Sequence, residues 1–264
     1  MADLVPAPAR LTRGQLFAAL ATSAAAGVFF WHFWALYPFK LLVVLMHESG
    51  HAVATLLIGG SVDGIRISPD EGGVTWSRYA PSLLHSVIVS SAGYIGSTVS
   101  GCVLIATAAR ARTGRLPLLL LAGWTFLTAL FWVRDLFTLG FTLACTAALL
   151  LVARFGAPIV RKLLLAFLAS FSVLYALFDI QDDLLHFGGS GGSDADALAR
   201  ATFIPAIVWG VAWGAMSIAL VFVTLRAALG ASARKPAPGA AGMIRGALTN
   251  ARSSGERVSR KAPL

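Results

Sequence analysis

The sequence predicts an all-α polytopic membrane protein of about six to seven transmembrane helices, with a small β-hairpin between the second and third. Three observations carry this. Of 264 residues, 57% are hydrophobic and only 12% charged, against roughly 25% charged in soluble domains. The mean hydropathy is +0.77, which also excludes an intrinsically disordered chain. The apolar residues fall in long continuous runs, the pattern of helical spans, whereas membrane strands read as short alternating segments.

Seven such runs follow one another, at about 15–36, 40–58, 83–108, 116–133, 136–153, 159–178 and 203–225. The first is too long for the core of a signal peptide and is followed closely by the second, so it reads as a span. The fourth and fifth are short, which leaves six spans plus a re-entrant hairpin as the alternative. In the third run Ala92, Gly93, Gly96, Ser97 and Gly101 recur at four-residue spacing. Such a face allows close helix approach in lipid, and it is expected to pack against the second helix. Cys102 and Cys145 both lie within apolar runs, where cysteine behaves as a small apolar side chain. The domain is expected to end near residue 230. Residues 231–264 mix Ala, Pro, Gly, Ser, Arg and Lys, the composition of a disordered basic tail.

Between the second and third runs, residues 59–80 are the most informative polar stretch. Val62, Ile65 and Ile67 stand among polar residues, Pro69-Asp70-Glu71-Gly72-Gly73 supplies a turn, and Val74-Thr75-Trp76 resumes an extended pattern. This is a hairpin signature, and its edge could pair with an extended peptide. Seven alternating spans would put the N-terminal tail and the loops at 59–82, 134–135 and 179–202 on one side, with six Lys and Arg. The other side would hold fifteen, so the positive-inside rule places the C-terminal tail in the cytoplasm.

The second run contains His47-Glu48-Ser49-Gly50-His51, an H-E-x-x-H pattern inside a hydrophobic helix. Positions i and i+4 share a helix face, so His47 and His51 can aim both imidazoles at one zinc ion. Glu48 stands where it can accept a proton from a metal-bound water. With five His and three Glu in the chain, composition alone gives such a match with a chance of ~0.1%. Ionisable groups at membrane depth are costly unless coordinated or paired, which makes them functional candidates by default.

A catalytic zinc takes a third protein ligand and keeps one position open. His32, His85, His186 and Asp135 are available, as is the run Asp179-Ile180-Gln181-Asp182-Asp183 at the end of the sixth span. Asp179 directly follows a long apolar run, so it is the carboxylate expected at membrane depth. Asp182 and Asp183 share its helix face.

With these residues in place, the chain resembles the intramembrane zinc metalloproteases of the site-2 protease clan, and most closely their compact B-type membrane metallopeptidase branch of bacteria and plants. The resemblance runs from about Pro38 to Leu225. It is carried by Pro38-Phe39-Lys40 leading into the His47–His51 motif, by Glu71-Gly72-Gly73 and by Ala92-Gly93-Tyr94-Ile95-Gly96-Ser97. Asp179 to Leu184 and Ser193-Asp194-Ala195 complete the set. It implies zinc-dependent hydrolysis of peptide bonds in or near the bilayer, with His47 and His51 as ligands and Glu48 as general base. Typical site-2 proteases take their third ligand from an L-D-G motif, which this chain lacks; the branch's Asp179 motif is the expected substitute. Their active sites lie toward the cytoplasm, opposite to the charge count here.

The expected partners are therefore a membrane-protein or peptide substrate and the lipid bilayer, with zinc as cofactor and no nucleic acid. The expected location is a bacterial inner membrane. The alternative reading is a non-catalytic zinc-binding membrane scaffold, or a divalent-metal carrier in which Asp179, Asp182 and Asp183 line an ion path.

Overall fold

The computed structural model describes residues 10–185 and 193–233, with side chains through 181 and from 193 to 230. Helix α1 (Arg13–Phe29) opens on a capping box between Thr12 and Gln15. A single 3₁₀ turn, Trp34–Leu36, leads into α2 (Tyr37–Leu57), which has Pro38 in its first turn, where a missing N–H costs nothing. Strands β1 (Ser61–Ile67) and β2 (Gly73–Arg78) form the expected antiparallel hairpin. Helices α3 (Leu83–Arg110), α4 (Arg115–Phe131), α5 (Leu136–Phe155) and α6 (Pro158–Leu185) follow. A short helix, α7 (Asp194–Thr202), precedes the last, α8 (Ala206–Ala233). Residues 194–202, expected to be part of a loop, form this helix because Ser193 and Asp196 cap its start.

Among the described residues, α3, α5, α6 and α8 are long and apolar enough to cross a membrane. The exposed outer surface is rich in Phe, Leu, Ile and Val, the arrangement expected of an integral membrane protein. Helices α1 and α4, at 17 residues each, are shorter. Helix α2, which holds both motif histidines, Glu48 and Lys40, is not among the four.

The helix directions follow from a few contacts. Ser170 donates to the Leu20 carbonyl at 3.0 Å, and Gly27 packs under Leu174, so α1 and α6 run the same way. Gly101 packs on Ala169 and Val173, and Gly114 packs on Arg161, so α3 runs opposite to α6. Trp213 donates to Ser91 at 3.0 Å and Thr98 meets Ser217 at 2.9 Å, so α8 runs with α3. Helix α2 begins beside the middle of α6, where the Phe39 ring meets Phe167 at 4.8 Å.

That internal start corrects the alternation expected from seven spans. The chain turns back between α1 and α2 within the bundle, so α2 and the hairpin lie toward the end where α1 finishes. Arg10 and Arg13 therefore sit at the same end as Arg110 and Arg161, away from the hairpin. Hydropathy reports that a run is apolar but not the depth at which it begins.

The hairpin runs back along α2 and is held on three sides. Ile65 and Ile67 are buried against Leu41, Val44 and Leu45. At the turn, Tyr37 donates to the Pro69 carbonyl at 2.8 Å, and Lys40 pairs with Glu71 at 3.0 Å. Lys40 also lies over the Trp31 ring, 4.6 Å from its centroid. Glu71 adopts a left-handed backbone at φ 67°, which costs a non-glycine residue on the order of 1 kcal/mol or more. The buried ammonium of Lys40 holds it there. On the outer edge of β1, Ile65 N–H donates to the Trp132 carbonyl at 2.9 Å. Ile67 exchanges two hydrogen bonds with the Thr138 hydroxyl.

Helices α2 and α3 meet at their glycines, as the spacing predicts. A Cβ on Gly50 would stand 2.1 Å from the Ala92 carbonyl oxygen, and one on Gly96 would stand 3.0 Å from Gly50 Cα. No side-chain movement relieves a clash with backbone. Gly50→Ala should therefore destabilise the protein by about 3 kcal/mol through forced separation of the two helices. Gly123→Ala, with nothing within 4 Å, should be neutral or stabilising by up to about 1 kcal/mol. Thermal unfolding of the two variants in detergent checks the contrast.

Candidate metal centre

The helical spacing of His47 and His51 brings their rings together, with centroids 4.8 Å apart. Both Nε2 atoms converge on one carboxylate oxygen, Oδ2 of Asp194, at 3.2 Å from His47 and 3.1 Å from His51. These three side chains are the group among the described residues that could hold a metal ion.

Each member is fixed from behind. His51 Nδ1 lies 2.7 Å from the Val89 carbonyl. A carbonyl can only accept, so Nδ1 carries a proton there, and Nε2 is the nitrogen left to a cation, which would displace the proton Nε2 shares with Asp194. His47 Nδ1 faces Asp179 Oδ2 at 3.5 Å, a few tenths of an ångström beyond hydrogen-bond range. The Tyr94 ring stands edge-on to His47 at 4.8 Å and stacks on Trp213 at 4.7 Å. Gly93 leaves the room His47 needs, since a Cβ there would lie 2.2 Å from Nε2.

The carboxylate that joins the histidines differs from the expected one. Asp179, at the end of α6, reaches His47 from the Nδ1 side, away from the point where the two Nε2 atoms meet. Asp194 reaches that point because Ser193 and Asp196 form a capping box that starts α7. The residue after the cap is thereby turned toward α2. Ala195 and Leu198 then bury α7 against Tyr94, Ile180 and Trp213. Burial alone would raise the Asp194 carboxyl; the hydrogen bonds from both imidazoles outweigh it and hold the group well below the usual carboxylate range. Its ionised form is the one a cation requires. The signal for Asp194 was present in Ser193-x-x-Asp196, a helix-start pattern, but no periodicity in so short a helix pointed to it.

The other candidates lie elsewhere. His32 is exposed, and His85 Nδ1 is engaged with the Ala80 carbonyl at 2.7 Å. Asp135 caps α5 by accepting from Thr138 N–H at 2.9 Å. The side chains of Asp182 and Asp183, and His186, fall outside the described residues, as does most of the basic tail.

Glu48 is buried beside the cluster. The Thr75 hydroxyl lies 2.7 Å from Glu48 Oε2 and 2.9 Å from the Glu48 carbonyl, tying the residue to β2. Oε1 lies against Gly73, where a Cβ would approach within 2.3 Å. Glu71-Gly72-Gly73 thus presents bare backbone where the carboxylate needs space. All these groups line one cavity of about 500 Å³, bounded by α2, α3, α6, α7 and the β2 strand.

A model of the Peptidase M50B-like family matches residues 20–224. The chain belongs to that family, the membrane metallopeptidase class that the resemblance had indicated. Comparison with curated proteins and with solved structures returns no significant match.

The geometry separates the two aspartates. Asp194→Asn should lower affinity for a divalent cation far more than Asp179→Asn. The latter should weaken it about 10- to 100-fold, as loss of a partner behind a liganding histidine does. Competition with a chromophoric chelator measures both.

Proposed function

We propose that the protein is a zinc metalloendopeptidase that cuts peptide bonds in or near the bilayer, with His47, His51 and Asp194 holding the metal. The convergence of two Nε2 atoms on one ionised carboxylate oxygen carries this reading. Two imidazoles and a carboxylate are the donor set of many catalytic zinc sites. Asp179, favoured on sequence grounds, serves in this reading to orient His47 through Nδ1. Zinc bound here would supply Lewis acidity and a water acidic enough to ionise near neutral pH.

Glu48 then has a defined task. It accepts a proton from the attacking water and returns it to the leaving amine. The Thr75 hydroxyl holds Oε2, so that Oε1, against Gly73, is the oxygen presented to the cavity. Both family membership and burial beside the ligands support this role.

Substrate must arrive extended, because a helical carbonyl is already hydrogen-bonded. Strand β2 offers the place. Ile65 and Ile67 direct their N–H groups away from β2, to Trp132 and Thr138. Their partners in the register, Thr75 and Gly73, must likewise direct backbone groups away from β1. Both residues line the metal cavity. An unwound peptide can add there as a third strand, alongside the metal cluster.

Glu48→Gln should retain the metal and lose cleavage by at least 10²–10⁴-fold. Purified wild type and variant, reconstituted with a membrane-anchored substrate and assayed for bound zinc and for product, test this. Normal cleavage by the variant would remove Glu48 from the mechanism. Wild type that binds zinc and cuts nothing would favour the scaffold.

A further inference from the structure

The two ends of the bundle differ sharply in charge. The helix directions gather the N-termini of α1, α4 and α6 and the C-termini of α3, α5 and α8 at one end. Arg161 ties two of these together by donating to the Gly156 carbonyl at 2.8 Å. This end carries nine Arg and Lys: two in residues 10–13, three in 110–115, three in 154–162, and Arg226. It holds no Asp or Glu among the described residues.

All ten Asp and Glu between residues 10 and 233 lie elsewhere: in α2, on the hairpin, at the α4–α5 connection, at the end of α6 or in α7. Five cations accompany them. Of these, Lys40 is paired with Glu71 and Arg78 with Asp63. The metal cavity is lined by Glu48, Glu71, Asp179 and Asp194, so it belongs to the acidic side.

The connections at the basic end are short, at 111–114 and 156–157. Short loops are where Lys and Arg decide orientation during insertion. Moving Arg10 and Arg13 to this end, as the packing of α1 along α6 requires, makes the asymmetry consistent across every element that reaches it. The hairpin side keeps Arg66, Arg78, Arg134 and Arg200, set among acidic neighbours.

We propose that the basic end faces the cytoplasm and that the metal cavity opens on the opposite, non-cytoplasmic face. The substrates are then membrane-anchored chains whose scissile bond lies in the non-cytoplasmic half of the bilayer or just beyond it. This departs from the cytoplasmic opening of typical site-2 proteases. The substrate clause rests on the proteolytic reading above; the sidedness rests on charge and helix direction alone.

The test uses the full chain in a bacterial inner membrane, with Cys102 and Cys145 replaced by Ala and one cysteine introduced. Ser61→Cys, exposed at the start of β1, and Thr113→Cys, exposed at the basic end, are treated with a membrane-impermeant maleimide. Ser61→Cys should label in intact spheroplasts, and Thr113→Cys only after permeabilisation. Labelling of Thr113→Cys from outside overturns the proposal. A second arm offers two single-span reporters, with an unwinding-prone segment at the cytoplasmic or the non-cytoplasmic end. Cutting of the non-cytoplasmic reporter alone supports the inference; cutting of the cytoplasmic one overturns it. The expected labelling with neither reporter cut leaves the sidedness standing and removes the proteolytic reading.

Discussion

The site depends on how closely α2 and α3 can approach. Two imidazoles on one helix face do not make a metal centre unless the neighbouring helix leaves room for the rings and supplies an acceptor behind them. Gly93 leaves the room, and the Val89 carbonyl is the acceptor. The same approach is set by Gly50 against Ala92 and by Gly96 against Gly50. The absence of three side chains thus determines where His47 and His51 point. In lipid, where burial of apolar surface gives little drive for helices to associate, such backbone contact is a principal source of specificity.

Around that contact the polar groups are arranged in layers. Asp194 joins the two histidines, and Asp179 stands behind His47. Thr75 holds Glu48 from the hairpin, and Lys40 holds the hairpin turn through Glu71. Lys40, Glu48, Glu71 and Asp194 are thereby each placed next to a group of opposite sign or a hydrogen-bond donor. An unpaired charge at such depth costs several kcal/mol. The arrangement therefore couples the fold of β1 and β2 to the position of the Glu48 carboxylate.

Features with short sequence separation were legible before the structure. The H-E-x-x-H pair needs only helical spacing, the hairpin needs only a turn between two extended runs, and the glycine face needs only a four-residue period. Asp194 is different, because it meets His47 across 147 residues. Its place is fixed by where α6 ends and how the chain returns through α7, which no local pattern encodes. Asp179 was the reasonable choice on hydropathy alone, since it follows an apolar run, and it does reach His47, though from the other ring nitrogen. The direction of α1 relative to the hairpin escaped for a related reason. Seven apolar runs suggest seven alternations, whereas α2 begins beside the middle of α6.

The outer edge of β1 has a consequence of its own. Trp132 and Thr138 occupy its backbone groups, so the two-stranded sheet is a template with a single free margin. Exposed sheet edges invite indiscriminate pairing with other chains, which leads to aggregation. Here one margin is sealed by the α4–α5 connection and the other opens into a confined chamber. Under the proposed function, an extended polypeptide has one lane to occupy, along β2 beside the metal cavity. The Thr138 hydroxyl is the side-chain part of that seal, whereas Trp132 contributes its backbone carbonyl, which any residue at that position would offer.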